Sequence, residues 1–213
     1  MSLEIPKVEW LDATANPWGI PVLDVRPVTQ HMISSSADPE CAANAVSYGQ
    51  DSGACFIGAE TPIQRSVSTS LPYRTNGELW GGALFRPQLM EHKWAIFYHF
   101  EQLFFVRSWQ RKVYVVADAP RIGNGDFIEV RAIHGAFVAE DESPDFSRRV
   151  LDFLIRTHAL DLEYPAPLLP TLETDTRQAA LWCFSAFGNM ARFASPEEPV
   201  GAPPVEALRE LPM

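Results

Sequence analysis

Three groups of residues have types and spacings suited to chemistry. Cys55 and His134, with Gln50 upstream, supply the parts of a cysteine nucleophile site. Such a site needs a thiolate, an imidazole base and an oxyanion donor, which the Gln50 carboxamide would provide. The plainer reading is a small buried hydrophobe and a histidine at a strand end. The second group is Lys93-Trp94 with Arg107-Ser108-Trp109. If the two segments form a hairpin, Arg107 shares a surface with Trp94, Tyr98 and Trp109. A guanidinium over aromatic faces gains about 0.5–2 kcal/mol. These four residues are therefore the candidate binding site, as an anion clamp or as a recognition hot spot rich in Trp, Tyr and Arg. The plainer reading is an arginine that bridges strands over a packed aromatic layer. In the third group, His92 and His99 have opposite parity, so in strand geometry they point to different faces and share no ion. No metal site and no cofactor are expected. Asp24 and Arg26 share parity and are expected to form a surface ion pair.

The elements that must position these residues are legible in outline. Residues 20–28 are rich in strand formers but contain Pro21 and Pro27, so the strand is expected to be short or at an edge. Asp38-Pro39 reads as an N-cap and first helical position, opening a helix over 39–48 that Gly49 stops. Residues 62–75 are polar and β-branched without a clear period. Strands are predicted over 79–85, 94–100, 103–109, 113–117 and 127–133, with Asn76-Gly77 and Gly123-Asn124-Gly125 as turns. Gaps this short permit only hairpins, hence an antiparallel meander. A turn at Glu101-Gln102 sets Trp94 opposite Trp109, Ile96 opposite Arg107 and Tyr98 opposite Phe105, all on one face. The other face carries Phe97, His99, Phe104 and Val106, so both faces need cover. Ser143-Pro144 caps a helix whose stripe is Phe146, Val150, Leu151, Leu154, Ile155 and His158. Thr174 or Asp175 caps a last helix reaching about residue 193. The expected fold is α+β, a central antiparallel meander of five or six strands flanked by about three helices. It forms one domain over residues 1–194, with a Pro/Glu-rich flexible tail over 195–213.

Two local patterns resemble known families. The lysine–tryptophan pair, the aromatic hairpin and Arg107-Ser108-Trp109 are similar to an uncharacterised bacterial family across residues 91–116. There Thr-Gly follows the second tryptophan, where this chain has Gln110-Arg111. The resemblance implies a bacterial origin and a hairpin, and carries over no activity or site residue. Gln50, Gly53, Cys55 and Phe56 resemble the papain-like order of glutamine, glycine, cysteine and aromatic, but Gln50 is one residue too close to Cys55. Asp51-Ser52-Gly53 resembles a serine-protease nucleophile loop in those three letters alone.

Composition narrows the classes of function. The 213 residues carry a formal charge of −10, which repels phosphate backbones and argues against nucleic-acid partners. No apolar run is long enough for a membrane helix, and the first residues lack the pattern of a secretory signal. The three cysteines lack metal-ligand spacing, which fits a reducing cytoplasm. Residues 71–139 hold eight Lys or Arg against six Asp or Glu, so the acidity lies outside the sheet region. The expected function is a non-catalytic bacterial binding or regulatory protein that recognises a basic protein partner, an inhibitor or immunity type being one version. The alternatives are a cysteine-dependent enzyme using Cys55 and His134, and a small-molecule or anion binder at Trp94, Arg107 and Trp109.

Overall fold

The computed structural model describes residues 7–75, 77, 79–200 and 207–211. The chain opens with β1 (Glu9–Leu11) and β2 (Val22–Asp24), then α1 (Arg26–Thr29) and α2 (Pro39–Val46). Next come β3 (Ser66–Arg74), β4 (Gly82–Phe85), β5 (Trp94–His99), β6 (Gln102–Arg107), β7 (Lys112–Asp118), β8 (Arg121–Ile122) and β9 (Phe127–Gly135). The last elements are α3 (Pro144–Leu154), β10 (Ala166–Pro167), α4 (Thr176–Phe187) and β11 (Phe193–Ser195). This is an α+β fold. A seven-stranded antiparallel sheet runs β3-β9-β7-β6-β5-β4, with β8 added on β9, and a four-stranded mixed sheet runs β1-β2-β11-β10. Among the described residues no helix is long and apolar enough to cross a membrane.

The helix starts follow from local chemistry. The side chains of Asp38, Ser143 and Asp175 accept from the backbone N–H groups of Glu40, Phe146 and Gln178, and proline follows the first two caps. Each cap satisfies a donor that the first turn leaves unpaired. Helix α4 stops at Gly188, which has φ +69°, rather than near residue 193. Phe193 then starts β11. Strand β2 is short: it starts after Pro21, and the end of the predicted strand instead forms α1, with Pro27 in its first turn. It is not an edge, since β1 and β11 pair on its two sides. The predicted Asp24–Arg26 ion pair forms, at 2.6 Å.

The central hairpin differs in register from the sequence-based pairing. Its turn is Phe100-Glu101, both with positive φ (49° and 61°). Trp94 therefore faces Arg107, Ile96 faces Phe105 and Tyr98 faces Leu103. The register is displaced by two residues. Because side chains alternate with a period of two, that displacement changes partners but leaves the side chains within β5 and β6 on their predicted faces. Trp109 falls beyond β6, in the turn before β7.

Both faces of the sheet are covered. Trp94, Ile96, Tyr98, Leu103 and Phe105 belong to a core shared with α3 and α4. Ala95, Phe97, Phe104, Val106 and Val116 form a second core under Tyr48 and Phe56. The polar stretch that showed no period contains β3, an outer strand bulged between Ser68 and Leu71.

The C-terminal tail, read from sequence as lacking fixed structure, is partly ordered. Leu208 is buried, its N–H donates to the Arg74 carbonyl, and the Leu211 N–H donates to the Ala83 carbonyl. Glu210 accepts from the N–H groups of Trp80 and Gly81. Residues 208–211 thus tie the end of β3 to β4 and occupy groups that an open edge would expose. Asn76 of the predicted Asn76-Gly77 turn, and residues 201–206 and 212–213 of the predicted tail, lie outside the described residues.

Candidate functional site

The start of β5, the end of β6, the end of α4 and the segment between α1 and α2 converge on one concavity. The join is held by backbone contacts. The Ser108 N–H donates to the Lys93 carbonyl (3.0 Å), and Ser108 Oγ donates to the His92 carbonyl (2.6 Å). The C-cap of α4 packs tightly against the turn before β5. A Cβ on Gly188 would stand 1.6 Å from the Glu91 carbonyl oxygen.

Two cations line the resulting cavity of about 460 Å3, with Ser34, Trp109, Gln110 and Phe184. Lys93 Nζ donates to Ser34 Oγ at 2.6 Å and to the Met90 carbonyl at 3.1 Å. It lies 4.2 Å from the Trp109 ring centroid and 5.0 Å from that of Phe184. Trp109 is fixed in turn by its Nε1 donating to Met90 O at 2.8 Å. Arg107 donates to the carbonyls of Ala186 (2.9 Å) and Ser185 (3.3 Å) in the last turn of α4, where unpaired carbonyls favour a cation. Its Cζ lies 4.9 Å from the Trp94 ring centroid. Met32, Ile33 and Leu181, all exposed, form an apolar rim.

Electrostatics at this site are unbalanced. Burial, and then the neighbouring Arg107 charge, push Lys93 down to about 8, against a smaller upward pull from Glu91. Burial also lowers Arg107. Neither cation forms an ion pair with a carboxylate among the described residues. A guanidinium has five N–H donors. Only two contacts from Arg107 to protein acceptors are present among the described residues.

Of the four predicted binding residues, Arg107 and Trp109 line the cavity. Trp94 and Tyr98 have no exposed surface. Trp94 is the layer beneath Arg107, and Tyr98 lies farther along β5, its Oη donating to Ala119 O at 3.2 Å. Burial puts both out of reach of a ligand. Lys93 was visible in sequence only as the neighbour of Trp94. Ser34 and Phe184 carried no sequence signal, one lying in a polar break and the other in the apolar surface of a helix.

The three members of the cysteine constellation sit on separate elements. Cys55 is exposed in a short turn, Ala54–Phe56. His134 Nε2 lies 2.9 Å from Asp118 Oδ2, and Gln102 donates to the other oxygen of Asp118 at 3.1 Å. Gln50 is exposed on the loop after α2. The Asp51-Ser52-Gly53 segment is a packing loop: Gly53 has φ +80° and an added Cβ would overlap the Phe97 ring. His99 binds the Ser52 carbonyl, whereas His92 Nδ1 accepts from the Gln88 N–H. Among the described residues no group of three or more His, Cys, Asp or Glu is placed to hold a metal ion.

Comparison with known proteins found no family model, no curated protein and no solved structure that matches the chain.

Proposed function

We propose that the protein binds a small amphipathic anion, a carboxylate joined to an aliphatic or aromatic group, in the Lys93–Arg107–Trp109 pocket. One observation carries this reading: two cations share the wall of one cavity with no carboxylate paired to either among the described residues, in a chain of charge −10. Partly buried charges are costly when left unpaired, and an incoming carboxylate would relieve that cost. Trp109 and Phe184 supply flat apolar walls, and Met32, Ile33 and Leu181 supply an apolar mouth. The cavity, about 460 Å3, is of ordinary small-ligand size. A basic protein partner is argued from overall charge alone, and a concave cationic surface does not suit one at this face.

Thermal melting with hexanoate, benzoate and inorganic phosphate tests the reading. The two carboxylates are expected to raise the melting temperature saturably at neutral pH, and phosphate to do so less. Lys93→Met and Trp109→Ala are expected to reduce the effect. The response should weaken as pH rises through about 8, where Lys93 loses its charge. Absence of stabilisation, or equal stabilisation in both variants, would overturn the reading.

A further inference from the structure

We infer that Ser34 is a nucleophile activated by Lys93, and that the pocket hydrolyses carboxylic esters bearing an apolar group. This inference deepens the pocket reading above and rests on it for the substrate's fit.

Ser34 Oγ and Lys93 Nζ are 2.6 Å apart, and both residues line the cavity. Each is held from behind. The Ser34 N–H donates to Glu91 Oε1 at 2.7 Å, and Lys93 Nζ donates to the Met90 carbonyl at 3.1 Å. A neutral amine can keep the bond to Met90 O and turn its lone pair toward the Ser34 hydroxyl. Burial and the neighbouring Arg107 bring Lys93 down to about 8, so the neutral amine is well populated in mildly alkaline solution. A lysine of ordinary pKa could not serve as a base there.

The steps balance without a cofactor. Ser34 Oγ attacks the ester carbonyl carbon as its proton passes to Lys93 Nζ. The bond to the leaving alkoxide breaks, and Lys93 returns the proton to that oxygen. Water then attacks the acyl-serine, Lys93 takes its proton, the acyl–Oγ bond breaks, and the proton goes back to Ser34. Arg107 stays charged throughout and supplies positive charge for the tetrahedral oxyanion from the same cavity wall. The two states of Lys93 thus divide the work: the cation helps to hold a carboxylate, and the neutral amine activates Ser34.

The test uses the full chain with a fluorophosphonate probe and with p-nitrophenyl butyrate. Peptide mapping by mass spectrometry should place the probe on Ser34. Hydrolysis should rise with pH through about 8, opposite in direction to carboxylate binding. Ser34→Ala and Lys93→Met should each lower the rate about 100-fold or more. Ser34→Ala should still melt cooperatively and still be stabilised by hexanoate. If either variant fails to fold, the site and pH dependence of labelling in the parent decide the matter. Probe bound elsewhere, an unlabelled Ser34, or an unchanged rate in Ser34→Ala would overturn the inference. Hexanoate stabilisation with an unlabelled Ser34 would sustain the binding reading and sink the nucleophile. Labelled Ser34 without hexanoate stabilisation would do the reverse.

Discussion

Trp94 and Arg107 face each other across β5 and β6, and the indole Nε1 and guanidinium Nη1 both donate to the Ala186 carbonyl, each at 2.9 Å. One helix-terminal acceptor thus joins the central hairpin to α4. The guanidinium caps α4 from behind while its exposed part borders the pocket.

The first prediction concerns this shared acceptor. Trp94→Phe keeps most of the ring and loses one donor, whereas Arg107→Met keeps the stem and loses the charge. Each is expected to cost about 1–3 kcal/mol in urea unfolding, and only Arg107→Met should also diminish stabilisation by hexanoate. A double-mutant cycle should show coupling, because either donor alone can still serve Ala186. Parent-like stability in Arg107→Met would contradict the capping role.

A second prediction concerns Gly188. With φ +69° and the Glu91 carbonyl 1.6 Å from the place a Cβ would take, Gly188→Ala must either shift the end of α4 or push away the turn that carries Lys93. The variant is expected to lose more than about 2 kcal/mol and most of its response to carboxylates. Chemical denaturation and the melting assay read the two effects separately.

The third prediction is an acid transition governed by His158. Helix α3 runs into one π-helical turn, Ile155–Ala159, and His158 sits in it fully enclosed, against Phe85 and Phe153. Its Nδ1 lies 2.8 Å from Thr157 Oγ1, and its Nε2 has no hydrogen-bond partner among the described residues. Burial lowers it to about 3 from 6.5. The unfolded chain therefore binds the extra proton between those values, and the folded protein does not. Stability from this group is complete above pH 6.5 and falls as pH drops toward 3, by an amount on the order of a few kcal/mol. His158→Leu should flatten that slope in urea titrations run from pH 7 to pH 4.

The fourth prediction concerns the tail. Leu208 is 1 % exposed, so Leu208→Ala is expected to cost about 2–3 kcal/mol, at the lower end for buried leucine. Glu210→Ala should cost about 1–2 kcal/mol by leaving the Trp80 and Gly81 N–H groups without their acceptor. Melting temperatures equal to the parent in both would contradict the ordering of residues 208–211.

Much of the fold was legible because its determinants are local. The caps Asp38, Ser143 and Asp175 act within three residues of themselves. The face carried by each residue of the hairpin follows from parity, so it survived an error in register. The register itself was hidden. Phe100-Glu101 adopts a turn with two positive φ angles and without the glycine or asparagine that usually announces one. Strand β3 was hidden too, because an outer, bulged strand shows neither an apolar run nor a clean alternation. Seven strands were found in the large sheet where five or six were expected.

The site was legible only in part. Arg107 and Trp109 could be named because aromatic and guanidinium groups crowd one short segment. Ser34 reaches Lys93 across 59 positions of chain, and no local pattern reports such a contact. Cys55 and His134 suggested a dyad from residue type alone, and the pairing of His134 with Asp118 carried no sequence signal.

By itself the sequence determined the alternation of buried and exposed side chains, the starts of α2, α3 and α4, the antiparallel meander and the acidic balance. All of these depend on neighbours along the chain or on composition. Tertiary structure decided which cations share a cavity, which helix-terminal carbonyl Arg107 caps, and that Lys93 lies buried beside Ser34. Those facts depend on how β5, β6, α4 and the segment before α2 meet, and desolvation acts on a charge only once distant elements have closed around it.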